Sequence, residues 1–261
     1  MLRLALRSIR TGERPRDKAV IAAHWGALAL FPLGMAARKI GAPLPDPRAA
    51  LGEYEVRGSA GVFTCPPGPV PFFLSLDPAH EPGLFALIDR LQGGVFVDCG
   101  ASVGFVTVRA ARRAERVIAI EPHPVRFAYL ERNVARNGLT NVKCFNCALG
   151  SASGTVAIYD VDPTLGPHPL DVSSTPGRGR RFDVPLRRLD DLVEEPVSVL
   201  KVDVEGAEVE VLGGAEEVLR SQPVVFVESL AMATRNELQG ALHGYSLRPL
   251  DSNNLLASPA S

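Results

Sequence analysis

The sequence VDCGASVG, at residues 97–104, decides the fold of this 261-residue chain. The apolar residues 95–97 predict a short buried strand, and the residues after Gly104 predict a helix. Gly100 and Gly104 have no Cβ, so the backbone of the turn between strand and helix can pass close to a ligand. The helix that begins there points its unpaired N–H groups at that ligand, as in nucleotide-binding sites.

Short apolar segments and helices alternate along the rest of the chain. Further strands are predicted at 116–121, 142–147, 197–203 and 224–227, and helices at 83–91, 124–137, near 207–220 and near 234–243. This alternation favours a parallel sheet covered by helices on both faces. Residues 246–250 and 255–258 are close enough in sequence to form a hairpin. The predicted fold class is therefore α/β, a mostly parallel doubly wound sheet with an antiparallel C-terminal hairpin.

The glycine spacing indicates which ligand the turn would bind. The pattern D-x-G-x-x-x-G differs from the G-x-G-x-x-G of dinucleotide-binding proteins, which hold a pyrophosphate at this helix. S-adenosylmethionine has no phosphate, but it carries a carboxylate and an ammonium, and Asp98 suits the ammonium. The predicted contacts of S-adenosylmethionine at the turn are Asp98, Gly100, Ala101, Ser102 and Gly104. A glycine turn with a purely structural role is the alternative.

The ends of the next two strands carry further candidate contacts. Glu121 can accept hydrogen bonds from both ribose hydroxyls, as the acidic residue of Rossmann folds does. A solvated carboxylate at a strand end is the alternative for Glu121. After the third strand come Asn146, Cys147 and Ala148, where backbone amides and small side chains would flank the adenine.

The sequence KVDVEGAE, at residues 201–208, places three carboxylates within six residues where a strand runs into a helix. Open α/β sheets bind their ligands at the carboxyl ends of the strands, so Asp203 and Glu205 are predicted to lie at the site, with Asp203 also a predicted contact of S-adenosylmethionine. The alternative for Asp203 is a carboxylate that merely caps the helix beginning near Ala207. Glu208 would lie in the first helical turn, where negative charge is favourable.

Together these segments resemble the FkbM-type methyltransferase family. The similarity covers residues 94–259, in VDCGASVGFVT (97–107), AIEPHP (119–124), ERNVARNGLTNV (131–142), NCALGSASGTV (146–156), KVDVEGAE (201–208) and NNLLASP (253–259). The chain departs from the usual pattern at Cys99 and Ser102, where the family commonly has Val and Asn. The resemblance implies a Rossmann-like class I methyltransferase that moves a methyl group from S-adenosylmethionine to a hydroxyl of a small molecule or sugar.

Methyl transfer to a neutral hydroxyl requires a base within hydrogen-bond reach of the acceptor. Asp203 is the first candidate, because its strand end should lie beside the sulfonium. Glu205 is the second candidate, and Glu228, at the end of the fifth strand, would assist the base or orient the acceptor. His123 and His168 are near predicted loop tips, where surface histidines are more common than catalytic ones.

The amino-acid composition indicates which classes of binding partner are favoured. A net charge of −1 disfavours nucleic acid, and the expected acceptor is a small molecule or a glycan. Four scattered cysteines imply no disulfide framework and favour a cytoplasmic setting. Cys144 and Cys147 lie three apart on a strand and face opposite sides, so no metal site is expected. An RNA base methyltransferase, a non-enzymatic S-adenosylmethionine-binding module and an NAD-dependent oxidoreductase remain alternatives.

Two regions lie outside these motifs. Residues 1–82 are predicted to be a helical and linker extension, and residues 83–261 the S-adenosylmethionine-dependent methyltransferase domain. The basic start and the apolar residues 19–37 suggest a signal peptide or membrane span, but the glycines and Pro32 weaken that interpretation. A helix packed on the domain is favoured, with membrane-surface contact through residues 1–39 as an alternative. The long loop 160–181 is expected to cover the acceptor, with a disordered surface loop as the alternative.

Overall fold

The computed structural model describes residues 2–39, 50–68, 72, 74, 81–159, 180–228, 232–251 and 253–260. The chain divides into two compact units. The first comprises Met1–Glu81 with Tyr159–Arg181, and the second comprises Pro82–Ile158 with Phe182–Ser261. All the candidate contacts at the glycine turn and at the strand ends belong to the second unit.

The first unit contains two helices and a two-stranded antiparallel sheet. These elements are α1 (Leu2–Thr11), α2 (Pro15–Lys39), β1 (Tyr54–Arg57) and β2 (Val62–Cys65). Its core includes the fully buried side chains of Ile21, Tyr54 and Phe63. Across the described ranges, no helix has both the length and the apolar character that crossing a bilayer requires.

The second unit contains the remaining helices and strands, apart from Tyr159 and Arg181 at the ends of two strands. Helices and strands alternate over much of it, as the sequence predicts. Its elements are α3 (Pro82–Asp89), β3 (Val95–Cys99), α4 (Phe105–Ala111), β4 (Arg116–Ile120), α5 (Pro124–Arg136), β5 (Val142–Phe145), β6 (Ala148–Leu149), β7 (Gly154–Tyr159), β8 (Arg181–Arg187), β9 (Val199–Val202), α6 (Glu208–Gly213), α7 (Glu216–Arg220), β10 (Val224–Glu228), α8 (Met232–Ala241), β11 (Tyr245–Pro249) and β12 (Asn254–Pro259).

Seven of these strands form the central sheet, in the order β11-β12-β10-β9-β3-β4-β5. The five strands from β10 to β5 are parallel, whereas β12 pairs antiparallel with both β10 and β11. The predicted fold class is therefore confirmed, including the antiparallel hairpin. A smaller sheet, in the order β6-β8-β7, stands apart from the central one.

The inner strands β3, β4, β9 and β10 are buried on both faces, which explains why they are nearly continuous apolar runs. Val97, Leu200 and Val225 belong to the larger core on one face. On the other face, Phe96 and Phe226 pack in a second core with side chains of α3. Because successive residues of a strand alternate between faces, Asp98 and Lys201 lie on the same face as Phe96 and Phe226.

The predicted helix near 207–220 is wrong in one respect, because the structure has two short helices there. Helix α6 ends at Gly213 and α7 begins at Glu216, and Gly213 and Gly214 are both poor helix formers. A Cβ at Gly214 would overlap the carbonyl oxygen of Gly150. The close approach of the backbone at Gly150 therefore requires a glycine at residue 214. The helix does not continue through this position.

Candidate active site

The glycine turn has the backbone geometry that its sequence predicts. Gly100 and Gly104 have φ angles of 85° and 94°, in the left-handed region that favours glycine. Ser102 also has a positive φ, 51°, which is uncommon for a residue with a side chain. The N–H groups of Gly100 and Ala101 both donate to the carbonyl oxygen of Ile120, at 3.0 and 2.9 Å. The turn is thereby fixed to the end of β4.

Asp98 is completely buried, and both of its carboxylate oxygens have neighbours inside the domain. Thr107 in α4 donates to Oδ2 at 2.6 Å, and the ammonium of Lys201 lies 3.2 Å from Oδ1. These contacts hold the start of α4 and the neighbouring strand β9 to the end of β3. Direct contact between Asp98 and the ammonium of a cofactor stays a prediction.

Glu121 follows β4 directly, and only 3% of it is exposed. Its Oε2 accepts a hydrogen bond from the backbone N–H of Ser102, and its Oε1 accepts one from that of His123, both at 2.8 Å. Burial raises the pKa of Glu121 above its usual value of 4.5, although the charge of Arg126 and the two N–H donors act in the opposite direction. Each oxygen retains a second lone pair for a hydroxyl of a ligand.

The three residues predicted to flank the adenine differ in their structural roles. The side-chain amide of Asn146 donates to the carbonyl oxygens of Glu121 and Pro122, at 2.8 and 3.0 Å. Asn146 therefore ends β5 earlier than predicted and fixes the segment that carries Glu121. Cys147 is 4% exposed, and burial raises the pKa of its thiol to about 11. Ala148 begins β6.

The three predicted catalytic carboxylates come together in the structure. Oxygen atoms of Asp203, Glu205 and Glu228 all lie within 4.8 Å of one another. Asp203 directly follows β9 and Glu228 ends β10, so the parallel pairing of the two strands brings these residues to the same level. Glu205 lies in the turn before α6, with a φ of 57°. The position of this group, at the carboxyl ends of parallel strands, is where open α/β sheets bind ligands.

Asp203 does not cap the following helix. The N-cap residue of α6 is Ala207, and no side chain caps it. The carboxylate of Glu208 accepts hydrogen bonds from the N–H groups of Val204 and Gly206, at 3.4 and 2.9 Å. The turn is thus stabilised by Glu208, and the Asp203 carboxylate instead lies 3.1 Å from the ammonium of Lys201.

Two residues at the site have roles that the sequence analysis missed. Lys201 is 2% exposed, and its only sequence signal is a charged residue inside an otherwise apolar strand. His123 is buried rather than exposed, and its Nδ1 accepts from the N–H groups of Val125 and Arg126 as the N-cap of α5. The Pro that follows it is a typical first residue of a helix, which could have indicated the cap. His168 and residues 160–179 of the predicted acceptor loop lie outside the described residues.

An open groove lies at the opposite, amino ends of β3, β4 and β5. Its charged residues include Arg116 and Glu195, which form an ion pair with each other. The groove contains none of the predicted site residues, and the strand-end carboxylates remain the better candidate for chemistry.

These features define an α/β domain with a candidate ligand site at the carboxyl edge of its sheet. The family model of the FkbM methyltransferase domain matches residues 98–245, from Asp98 near the end of β3 to Tyr245 at the start of β11. The chain therefore belongs to the FkbM methyltransferase family, as the resemblance predicts.

Two curated relatives match the chain in part. Methyltransferase sdnD of Sordaria araneosa is 33% identical over 155 residues, which cover 46% of this chain and 60% of the relative. Methyltransferase 1 of Beauveria bassiana (strain ARSEF 2860) is 28% identical over 144 residues, covering 46% of this chain and 58% of the relative. The matches thus span about three fifths of the length of these relatives.

Solved structures of methyltransferases are also similar to the chain. The FkbM methyltransferase of Methylobacillus flagellatus KT has a TM-score of 0.48 and 16% identity, covering 98% of this chain and 58% of its own. Trm5b of Pyrococcus abyssi has a TM-score of 0.49 and 15% identity, covering 80% of this chain and 56% of its own.

Proposed function

We propose that this protein transfers the methyl group of S-adenosylmethionine to a hydroxyl of a small molecule or sugar. The observation that carries the proposal is the convergence of Asp203, Glu205 and Glu228 beside the glycine turn, in a chain of the FkbM methyltransferase family. The carbonyl oxygen of Asp203 packs directly against Gly100. The three carboxylates are therefore next to the turn that is predicted to bind the cofactor. A cofactor and an acceptor could therefore meet at this edge.

The residues of the turn fit S-adenosylmethionine. Glu121 offers a buried carboxylate with lone pairs for the two ribose hydroxyls, and its two backbone N–H donors hold it in place. The hydroxyl oxygen of Ser102 is buried and has no hydrogen-bond partner in the described chain. Buried polar atoms are normally paired, so this hydroxyl is available to a ligand.

Asp203 is proposed as the general base. S-adenosylmethionine supplies an electrophilic methyl group on a sulfonium. As the acceptor oxygen bonds to the methyl carbon, the carbon–sulfur bond breaks with its electron pair going to sulfur, and the hydroxyl proton passes to the Asp203 carboxylate. Proton transfer to a positioned base contributes about 10²–10⁴-fold to the rate. Glu205 and Glu228, within 4.8 Å, are proposed to orient the acceptor.

The first test is binding and transfer in the wild-type protein. Calorimetry should detect saturable binding of S-adenosylhomocysteine, the demethylated product. Methyl-tritiated S-adenosylmethionine is then incubated with a panel of phenols, hydroxy acids, monosaccharides and oligosaccharides, and separately with total tRNA. Label in a hydroxyl compound supports the proposal. Label in tRNA alone would establish the RNA alternative, and a lack of product binding would contradict the cofactor assignment.

The second test assigns the base once the panel has identified an acceptor. Asp203→Asn should keep the affinity for S-adenosylhomocysteine and lower the turnover rate by about 10²–10⁴-fold, the usual contribution of a general base. Asp191→Asn is the matched control, because Asp191 is exposed and hydrogen-bonds Ser153 away from the strand ends. Near-normal turnover in Asp203→Asn would move the base to another residue, with Glu205 next in line.

A further inference from the structure

Lys201 is a buried cation in the middle of the central sheet. It lies in β9, in register with Asp98 of β3 on one side and with Phe226 of β10 on the other. Its side chain is only 2% exposed. Moving an ammonium out of water is costly unless carboxylates or carbonyl groups replace the solvent. A lysine here therefore requires a specific set of oxygen partners.

Three oxygen atoms surround the ammonium. Nζ lies 3.2 Å from Asp98 Oδ1 and 3.1 Å from Asp203 Oδ2, and it donates to the carbonyl oxygen of Gly100 at 3.3 Å. An ammonium has three N–H donors and no acceptor, so oxygen atoms are the partners that it requires. Asp98 is fully buried, whereas the side chain of Asp203 is 25% exposed. Lys201 thus links a closed carboxylate to an accessible one.

The charges around Asp203 make this link important. The carboxylates of Glu205 and Glu228 lie within 4.8 Å of it, and that of Asp98 contacts the same ammonium. Nearby carboxylates favour the protonated form of Asp203, whereas the ammonium of Lys201 favours the ionised form. Only the ionised carboxylate can accept a proton from an acceptor hydroxyl. The balance of these charges therefore decides whether Asp203 can act as a base.

We propose that Lys201 is a positioning residue, whose ammonium keeps the Asp203 carboxylate ionised and fixes it beside the Gly100 turn. This inference rests on the proposed function, because it concerns the same base. The contact with the Gly100 carbonyl also joins the position of Asp203 to the turn that would hold the cofactor. Lys201 itself is enclosed in the sheet and acts through Asp203.

The test measures the titration of Asp203 directly and needs no acceptor. In protein labelled with ¹³C at the aspartate carboxyl carbons, the Asp203 signal is identified by its loss in Asp203→Asn. Its titration is followed by NMR with S-adenosylhomocysteine present. In Lys201→Met, which removes the charge from a chain of similar length, the Asp203 midpoint should rise by about 1–3 pH units, the usual effect of a close opposite charge.

The controls separate a role in positioning from a role in folding. Lys143→Met, which removes an exposed lysine of β5, should leave the Asp203 midpoint unchanged. If Lys201→Met does not fold, the double variant Asp98→Asn/Lys201→Met removes the buried pair as a unit and is compared with Asp98→Asn alone. The Asp203 midpoint should again be higher without the lysine.

The outcomes distinguish this inference from the proposed function. An Asp203 midpoint that stays the same when Lys201 is replaced, in either background, overturns the inference. Calorimetry on the wild-type protein tests the proposed function separately. Failure to bind S-adenosylhomocysteine would contradict that function whatever the titration shows. Binding together with an insensitive Asp203 would remove the role of Lys201 alone.

Discussion

The carbonyl oxygen of Asp203 packs against the Cα of Gly100, so closely that any side chain at residue 100 would overlap it. The N–H of Asp203 also donates to the carbonyl oxygen of Cys99, at 3.1 Å. The end of β9 and the turn after β3 are thus in contact through their backbones. The position of the proposed base is consequently set by the same glycine that shapes the proposed cofactor site.

Gly100→Ala should destabilise the protein strongly. The new Cβ would combine left-handed backbone strain of about 1–2 kcal/mol with an overpacking cost of about 1–3 kcal/mol. Gly93→Ala is the matched control, because Gly93 has nearly the same φ, 84° against 85°, and a Cβ there would meet no atom within 4 Å. Urea unfolding measures the free energy of unfolding of both variants. In the Gly93→Ala control, the decrease should be limited to the cost of backbone strain. Equal losses in the two variants would argue against the close contact.

Glu121→Ala should weaken binding of S-adenosylmethionine and S-adenosylhomocysteine by roughly ten- to a hundred-fold. Hydrogen bonds to a charged group typically contribute about 1.5–3 kcal/mol, and the substitution removes the carboxylate proposed to bind the ribose. Calorimetry measures both affinities. Glu131→Ala, an exposed position on α5, is the control. Unchanged affinity in the Glu121 variant would place the ribose contact elsewhere.

Glu121 should also make stability depend on pH. Burial raises the pKa of this group in the folded chain above the usual value of 4.5, so the folded chain holds more protons than the unfolded chain between these two values. The contribution of Glu121 to the free energy of unfolding is complete below the pKa of the unfolded chain. It is lost as the pH rises through the pKa of the folded chain. Urea unfolding between about pH 4 and pH 7 should show this decline. In Glu121→Gln, which has no titrating group, the decline should be smaller.

A divalent cation is not expected at the three carboxylates. Asp203, Glu205 and Glu228 are close enough to share one, but the ammonium of Lys201 already lies 3.1 Å from Asp203. Calorimetric titration with Mg²⁺ alone should therefore show no saturable binding. Saturable binding in the wild-type protein that disappears in Glu228→Gln would reassign the three carboxylates as metal ligands.

The first helix should promote binding to anionic membranes if residues 1–39 meet a lipid surface. On α1, Leu2 and Leu6 are 75% and 52% exposed, and the helix also carries Arg3, Arg7 and Arg10. Sedimentation with vesicles should then show stronger binding with anionic lipid and weaker binding in salt. Replacing the three arginines of α1 with Gln should reduce binding to the anionic vesicles. The control replaces three exposed arginines of the second unit, Arg90, Arg113 and Arg248.

The strands and turns of the sheet could be predicted from the sequence because each is encoded by a short segment of residues. Apolar runs mark the buried strands, and Gly100 and Gly104 mark the turn after β3 through their missing side chains. The convergence of Asp203 and Glu228 was also predictable, because both lie at the carboxyl ends of parallel strands and so reach the same edge. What the sequence could not supply was the order of the strands, since that order is decided by packing between segments far apart in the chain.

Lys201 shows why the rest was missed. Its partner Asp98 lies in β3, and the two residues meet only because β9 is placed next to β3. Local sequence presents the lysine simply as a charge inside a strand. Asn146 is a similar case, since its side-chain amide donates to the carbonyl oxygen of Glu121, which the fold brings within reach. Such contacts depend on geometry that no short motif specifies.

The placement of β12 between β10 and β11 has a consequence for synthesis on the ribosome. Residues 254–259 are made after β11, yet they must insert between β11 and the rest of the sheet. Until residue 259 emerges from the exit tunnel, the edge of β10 beside Glu228 has no pairing partner and remains open to other chains. We infer that pairing along this edge of β10 is completed only after β12 has left the ribosome.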